Sequence, residues 1–267
     1  MHELPSARWW PTSEQALVDL QHWLAREADA AVVADPWSLE SPRLIGGCVV
    51  AFAGGEAGPG KPGDRAWAAA GAWHRGTSTA AAGRRADRHL EGSRSQGEPR
   101  RADDVVAQSV VAGRTQGAYA PGLLARREGP VLAAAVAALD VNPEVLLVDA
   151  TGADHPRRAG LAIHLGAACG LPTVGVTQRP LVASGDPPPE LQRGAMAPVR
   201  LESRCVGFWV LTRTGSRPII AHAGWRTTPE TAASTVLAAS TEAARTPVPL
   251  QEARRVAREA RSLADAG

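Results

Sequence analysis

Tyrosine, phenylalanine, methionine and lysine are scarce in this chain. Its 267 residues include one tyrosine (Tyr119), two phenylalanines, two methionines and one lysine (Lys61), so arginine carries nearly all the positive charge. There are three cysteines, Cys48, Cys169 and Cys205. Their odd number, apolar settings and lack of a Cys-x-x-Cys pair argue against a disulfide scaffold or a structural zinc site. No run approaches the ~18 uninterrupted apolar residues of a membrane span. The opening MHELPSARWWPTSEQ has no apolar core of signal-peptide length. A soluble, cytoplasmic protein with no membrane partner is therefore expected. Charge of one sign is not in excess either: the net charge is +2. That excludes a globally basic nucleic-acid coat but leaves room for a local basic patch.

What remains is enough for a sizeable core. Leu17, Leu20, Leu24 and Ala28 fall at helical spacing behind Ser13, which predicts a helix over residues 13–34. Residues 44–53 (LIGGCVVAFA) read as a buried strand, with a second strand at 64–73 antiparallel to it and a third at 105–112. Between them, residues 74–104 are rich in Arg, Ser and Gly without apolar period and read as a disordered insertion. Further on, helices are expected over 131–139, 159–169 and 228–243, and strands over 145–149, 171–176, 206–212 and 218–221. Residues 1–12 and 249–267 read as tails, the second charged and amphipathic, around one domain at 13–248. Three strands followed by strand–helix alternation make an α/β fold, a mixed sheet with helices on both faces.

The stretch Val148–Gly160, VDATGADHPRRAG, draws attention first. A carboxylate, Asp149, ends an apolar strand, and ligands of open α/β sheets sit beyond the carboxyl ends of their strands. Asp154, His155, Arg157 and Arg158 follow within a few positions. Each also has a plain structural reading. Asp149 can cap the next loop, His155 can be a satisfied structural histidine, and Arg157 and Arg158 can form salt bridges.

Several pieces occur in an order that resembles the endonuclease V family. They are Tyr119-Ala120-Pro121-Gly122-Leu123-Leu124 with Arg127-Glu128, then Val148-Asp149 with Gly152 and His155-Pro156-Arg157-Arg158-Ala159-Gly160. His164-Leu165-Gly166 and Leu171-Pro172-Thr173-Val174-Gly175-Val176 continue the run. The resemblance implies an RNase H-like fold and Mg²⁺-dependent cleavage one phosphodiester beyond a deaminated purine such as inosine. It assigns Glu128 and Asp149 as metal-binding carboxylates, Tyr119 as a strand-separating wedge, and Gly152, Arg157 and Arg158 as substrate contacts.

At the chemistry the sequence departs from the pattern. The position of the family's first carboxylate is Val49, its lysine is Gln178, its C-terminal histidine is Trp225, and the Gly-His beside Asp149 is Ala150-Thr151. A valine cannot ligate a hard cation, which takes oxygen ligands, so weak Mg²⁺ binding by Glu128 and Asp149 is expected. Losing a ligand and a cation together removes several kcal/mol of transition-state stabilisation, on the order of 10³-fold or more in rate. Trp225 either fills the vacated volume or stacks on an aromatic ligand.

Three functions follow. The chain is a binder of nucleic acid or a nucleobase with weakened cleavage. Or it is an enzyme of specialised metabolism using Glu128, Asp149, Asp154 and His155 as acid–base groups on a small molecule. Or it is an active inosine-directed nuclease with Asp154 as replacement carboxylate and Arg179 or Arg226 as replacement cation. A monomer is expected in each case.

Overall fold

A computed structural model describes residues 7–39, 44–53, 60–74 and 105–266. Apart from His74, the insertion expected over 74–104 lies outside the described residues. Ser13 caps the first helix, α1 (Glu14–Ala34), by accepting the Ala16 N–H. The strands are β1 (Leu44–Phe52), β2 (Arg65–His74), β3 (Val105–Arg114), β4 (Val145–Val148), β5 (Thr173–Thr177), β6 (Met196–Leu201), β7 (Arg204–Val210) and β8 (Ile219–Ala223). The remaining helices are α2 (Leu124–Ala137), α3 (Leu161–Cys169), α4 (Pro229–Ala238) and α5 (Val248–Ala266).

All eight strands form one mixed sheet in the order β3-β2-β1-β4-β5-β8-β7-β6. β1, β4 and β5 run parallel, and every other pair is antiparallel. Parallel neighbours need a crossover: α2 lies in the connection leading to β4, and α3 connects β4 to β5. Helices cover both faces, as the alternating pattern predicts. On one face Cys48, Leu146 and Val148 meet Leu132, Ala135 and Val136 of α2 and Leu165 of α3. On the other, Ile45, Val49 and Leu147 meet Val236 of α4 and Leu250, Ala253 and Ala257 of α5. β2 is buried on both sides and is half alanine (RAWAAAGAWH), which lets helices approach closely from above and below. Among the described residues no helix is long and apolar enough to cross a membrane.

Three elements differ from the sequence reading. α2 begins at Leu124 rather than Val131 and contains Pro130 in its second turn. The edge strand β6 carries Pro198, which reads as loop in sequence but is tolerated where one side of a strand is unpaired. The stretch read as a charged tail is α5. Its buried residues Leu250, Ala253 and Ala257 recur at helical spacing against β1 and β2. The last helix is thus part of the core and stands directly beside the strand ends.

Candidate active site

β4 delivers Asp149 to the carboxyl end of the central parallel strands. Val148 is paired with Cys48 on one side and Gly175 on the other, and the Asp149 N–H still reaches the Cys48 carbonyl at 3.4 Å. The chain then turns through Ala150 and Thr151. Beside this turn lies a cavity of about 200 Å³ whose polar lining is Gln21, Tyr119, Asp149, Thr151, His155 and Thr177. Tyr119 is about half exposed at its mouth.

The wall that carries Tyr119 is a turn pinned by one carbonyl. Gly122 has φ +76°, a left-handed conformation that favours glycine, and a Cβ there would lie 2.9 Å from the Arg157 guanidinium, which would have to shift. Its oxygen receives Gln21 Nε2 at 3.0 Å, His155 Nε2 at 3.1 Å and Arg157 Nη2 at 2.7 Å. His155 Nδ1 accepts the Arg157 N–H at 3.2 Å, which assigns the proton to Nε2 and makes the ring neutral. Burial pushes the His155 pKa down to about 4; the hydrogen bond to Gly122 opposes this only in part. Arg157 also grips Gln21 at 2.6 Å. His155 therefore lines the cavity and, together with Arg157, sets the Tyr119 turn.

Asp154 is wholly buried on a different errand. Its two oxygens accept the backbone N–H groups of Leu181, Val182 and Ala183 at 2.7, 2.9 and 2.8 Å. His222 Nδ1 stands 3.8 Å away, and His222 Nε2 meets Thr177 Oγ1 at 2.7 Å. Those contacts tie the 178–183 loop to β8 and place Leu181 in the cavity wall.

Glu128 sits one turn into α2, beside but not in the cavity lining. Burial and the neighbouring Asp149 charge raise its pKa to about 8, against a smaller opposing pull from Arg127. Cys48 faces the same way; burial, then Cys169, Asp149 and Glu128, hold it as a neutral thiol, and sulfur suits a hard, oxygen-seeking cation poorly. Val49 points to the opposite face, 3% exposed, packed against the α5 cluster. Asp149 is paired at 2.7 Å with the guanidinium of Arg254, in the second turn of α5.

This donor set fits the family's divalent ion poorly. A hard cation needs several converging oxygens, and among the described residues no three His, Cys, Asp or Glu side chains converge. One of the two carboxylates already faces a positive side chain.

The other residues singled out in the sequence are dispersed. Gly152 lies under β8, where a Cβ would stand 2.0 Å from the Ala223 carbonyl. Arg158, with φ +53°, reaches Asp29 of α1 at 3.0 Å, and Arg204 also binds that carboxylate. The Trp225 carbonyl accepts the Thr173 N–H and the Trp225 N–H donates to Thr173 Oγ1; Thr173 opens β5, whereas the cavity lies at the Thr177 end of that strand. It packs on the cluster built by α1 and α3. Gln178 and Arg179 are exposed, and Arg226 holds Asp35. The structure thus groups Tyr119, Asp149 and His155 around the cavity with Glu128 alongside. It sets Asp154, Gly152, Arg158 and Trp225 apart.

Two site residues escaped the sequence reading. Gln21 looked like one more polar position of an amphipathic helix, although it is buried. Arg254 fell in the presumed tail. Its signal was its position directly after Ala253 in the apolar stripe, where a long cationic side chain can carry its head past the packed face to the Asp149 carboxylate.

An RNase H-like sheet with a carboxylate, Asp149, at the end of a central parallel strand and a second, Glu128, on the helix beside it belongs to a class of nucleic-acid-processing folds. A sequence profile described as Endonuclease V matches residues 100–255. The chain belongs to the endonuclease V family. It is 42% identical to endonuclease V of Roseiflexus castenholzii over 123 residues, 46% of this chain and 55% of that protein. The chain thus spans about half the length of the curated relatives it matches. The crystal structure of Streptomyces avermitilis endonuclease V superposes with a TM-score of 0.72 at 29% identity, covering 96% of each chain. Endonuclease V of Ciona intestinalis, solved with a 23mer DNA containing an inosine, shares the fold at TM-score 0.64 and 20% identity, covering 94% of this chain and 98% of that one.

Proposed function

We propose that this protein uses the endonuclease V scaffold to bind a nucleic-acid strand at a deaminated purine, with metal-dependent cleavage lost or much weakened. The observation that carries this reading is the cavity itself. It is small, walled on one side by Tyr119, and edged by Gln21, Thr151 and Thr177, whose remaining hydrogen-bonding capacity suits the rim of a planar base. The DNA bound by the Ciona relative supports a strand as the partner. Reduced cleavage rests on Val49 at the first carboxylate's position and on the charge already opposite Asp149.

An active nuclease rebuilt around Asp154 is less favoured, because both Asp154 oxygens are engaged by the 181–183 backbone. A small-molecule reaction would have to use the same cavity and its neutral His155.

The test is a labelled strand containing one inosine, with Mg²⁺ or Mn²⁺ present. The expected result is retention of the strand, preferring inosine over adenosine, with cleavage roughly 10³-fold or more below an active family member. Efficient cutting one phosphodiester beyond the inosine sinks the reading. In the same assay Tyr119→Ala should weaken binding by about 5- to 150-fold, the size of one lost stacking contact of about 1–3 kcal/mol, while its thermal unfolding stays unchanged, because Tyr119 is half exposed.

A further inference from the structure

We infer that Arg254 is a resident cation of this site: its guanidinium holds the place beside Asp149 that a divalent ion would need, so that a strand phosphate is met there by a side chain. The inference rests in part on the strand-binding reading above, but its first half concerns the protein alone.

The argument starts from charge. Asp149 is about two-fifths exposed at the cavity rim, with Glu128 nearby. A phosphodiester brought to this rim meets a carboxylate, and like charges repel unless a cation stands between them. Family chemistry supplies that cation from solution. Here Leu250, Ala253 and Ala257 seat α5 on the sheet, and this packing fixes the residue after Ala253 opposite the end of β4. The Nη2–Oδ2 distance of 2.7 Å is that of a charge-assisted hydrogen bond. A side chain tethered to a packed helix has a local concentration that a millimolar ion must compete against. Only one N–H of Arg254 is spent on Asp149, and 29% of the side chain remains in solvent. A guanidinium has five donors, so others are left for phosphate oxygens.

Val49 fits the same account. With the first carboxylate gone, an ion would have only Glu128 and Asp149, whereas one guanidinium suffices for Asp149. Removing the guanidinium should therefore uncover a weak two-carboxylate site for an oxygen-seeking metal.

The test uses the full chain and Mn²⁺ alone as probe, with free ion read by electron paramagnetic resonance. Two variants remove the cation: Arg254→Ala, and Arg254→Met, which keeps an unbranched apolar stem on the sheet should the alanine variant fold poorly. Wild type and Arg254→Lys should show no Mn²⁺ site dependent on Asp149. Arg254→Ala or Arg254→Met should gain one, with Mn²⁺ retained at a free-ion concentration at least about tenfold below that at which wild type shows any residual binding, and Asp149→Asn placed on top should remove it. A wild-type Mn²⁺ site lost in Asp149→Asn overturns the inference, and so does a folded Arg254→Met protein that gains nothing. In the second arm, wild-type affinity for an inosine strand should be the same in EDTA as in Mg²⁺ and fall several-fold in Arg254→Met. A requirement for Mg²⁺ counts against Arg254. Failure to bind any strand in either condition sinks the strand-binding reading instead, and the Mn²⁺ comparison still decides what Arg254 does.

Discussion

Asp154→Ala should cost this protein about 3 kcal/mol and open the 178–183 loop. The substitution leaves three backbone N–H groups without their shared acceptor. A hydrogen bond to a charged group contributes about 1.5–3 kcal/mol, and a stranded buried donor about 1–3. The full sum is not expected, because Leu181 and Val182 are exposed and their amides can turn to water. The loop should swing out rather than the domain unfold. Hydrogen exchange at residues 181–183 should speed up by orders of magnitude while exchange in β4 and β5 stays slow. Cavity affinity should drop with it, because Leu181 lines the wall. Asp154→Asn separates this role from catalysis. One amide oxygen can still accept an N–H, so about half of the loss should be recovered. If Asp154 were instead a replacement metal ligand, Asn would abolish Mn²⁺ binding and cleavage while leaving stability and loop exchange as they are.

Asp154 illustrates how far sequence could reach. Its place in VDATGADHPRRAG is visible, and so is its use as an acid–base group or replacement carboxylate. Its partners, however, lie in the 181–183 segment, and nothing local signals that a loop will fold back onto it. Elements whose cause is local were legible. Ser13 and the Leu17–Leu24 spacing define α1, and an unbroken apolar run defines β4. The mixed sheet with helices on both faces followed from their order. Elements whose cause is tertiary were not. β6 pairs only with β7 along the named strands and contains a proline, and α2 starts a turn and a half before the proline that looked like its boundary. α5 buries small alanines and a single leucine beneath a surface of arginine and glutamate, so its low hydropathy hid its packing. That last miss mattered most for the site, because Arg254 came with it. Asp149 was readable as a strand-end carboxylate, but the charge opposite it was not, since 105 positions separate the pair.

Acidification should unfold the protein earlier than its carboxylates alone would dictate, because three histidines are held neutral inside it. His164 is buried with Nε2 on the Trp9 carbonyl, and its ring stacks on Trp10 at 4.8 Å and 7°. Nδ1 has no hydrogen-bond partner among the described residues. Burial pushes its pKa down to about 4, and the Trp9 hydrogen bond opposes this only partly. His155 is likewise pushed down to about 4. His222 is lowered by burial against the opposing pull of Asp154. In the unfolded chain a histidine binds its proton near pH 6.5. Between pH 6.5 and about 4 the unfolded chain therefore holds more protons on these sites than the folded one. Stability falls as pH falls through that window, by about 1.4 kcal/mol per site and pH unit. Glu128 works the other way. Its pKa is raised to about 8, so below that value the folded state holds a proton the unfolded chain gives up, until the unfolded carboxyl also binds one near pH 4.5. The balance is about two protons in favour of the unfolded chain, and close to 3 kcal/mol per pH unit around pH 5.5. For a chain of this size that is a drop in melting temperature of roughly 6–12 °C per pH unit. Thermal melts from pH 7.5 to 4.5 at constant ionic strength measure it directly. A melting temperature that stays level between pH 6.5 and 5 would mean the three rings are already protonated in the folded protein. The neutral, Nε2-protonated His155 at the cavity wall would then have to be abandoned.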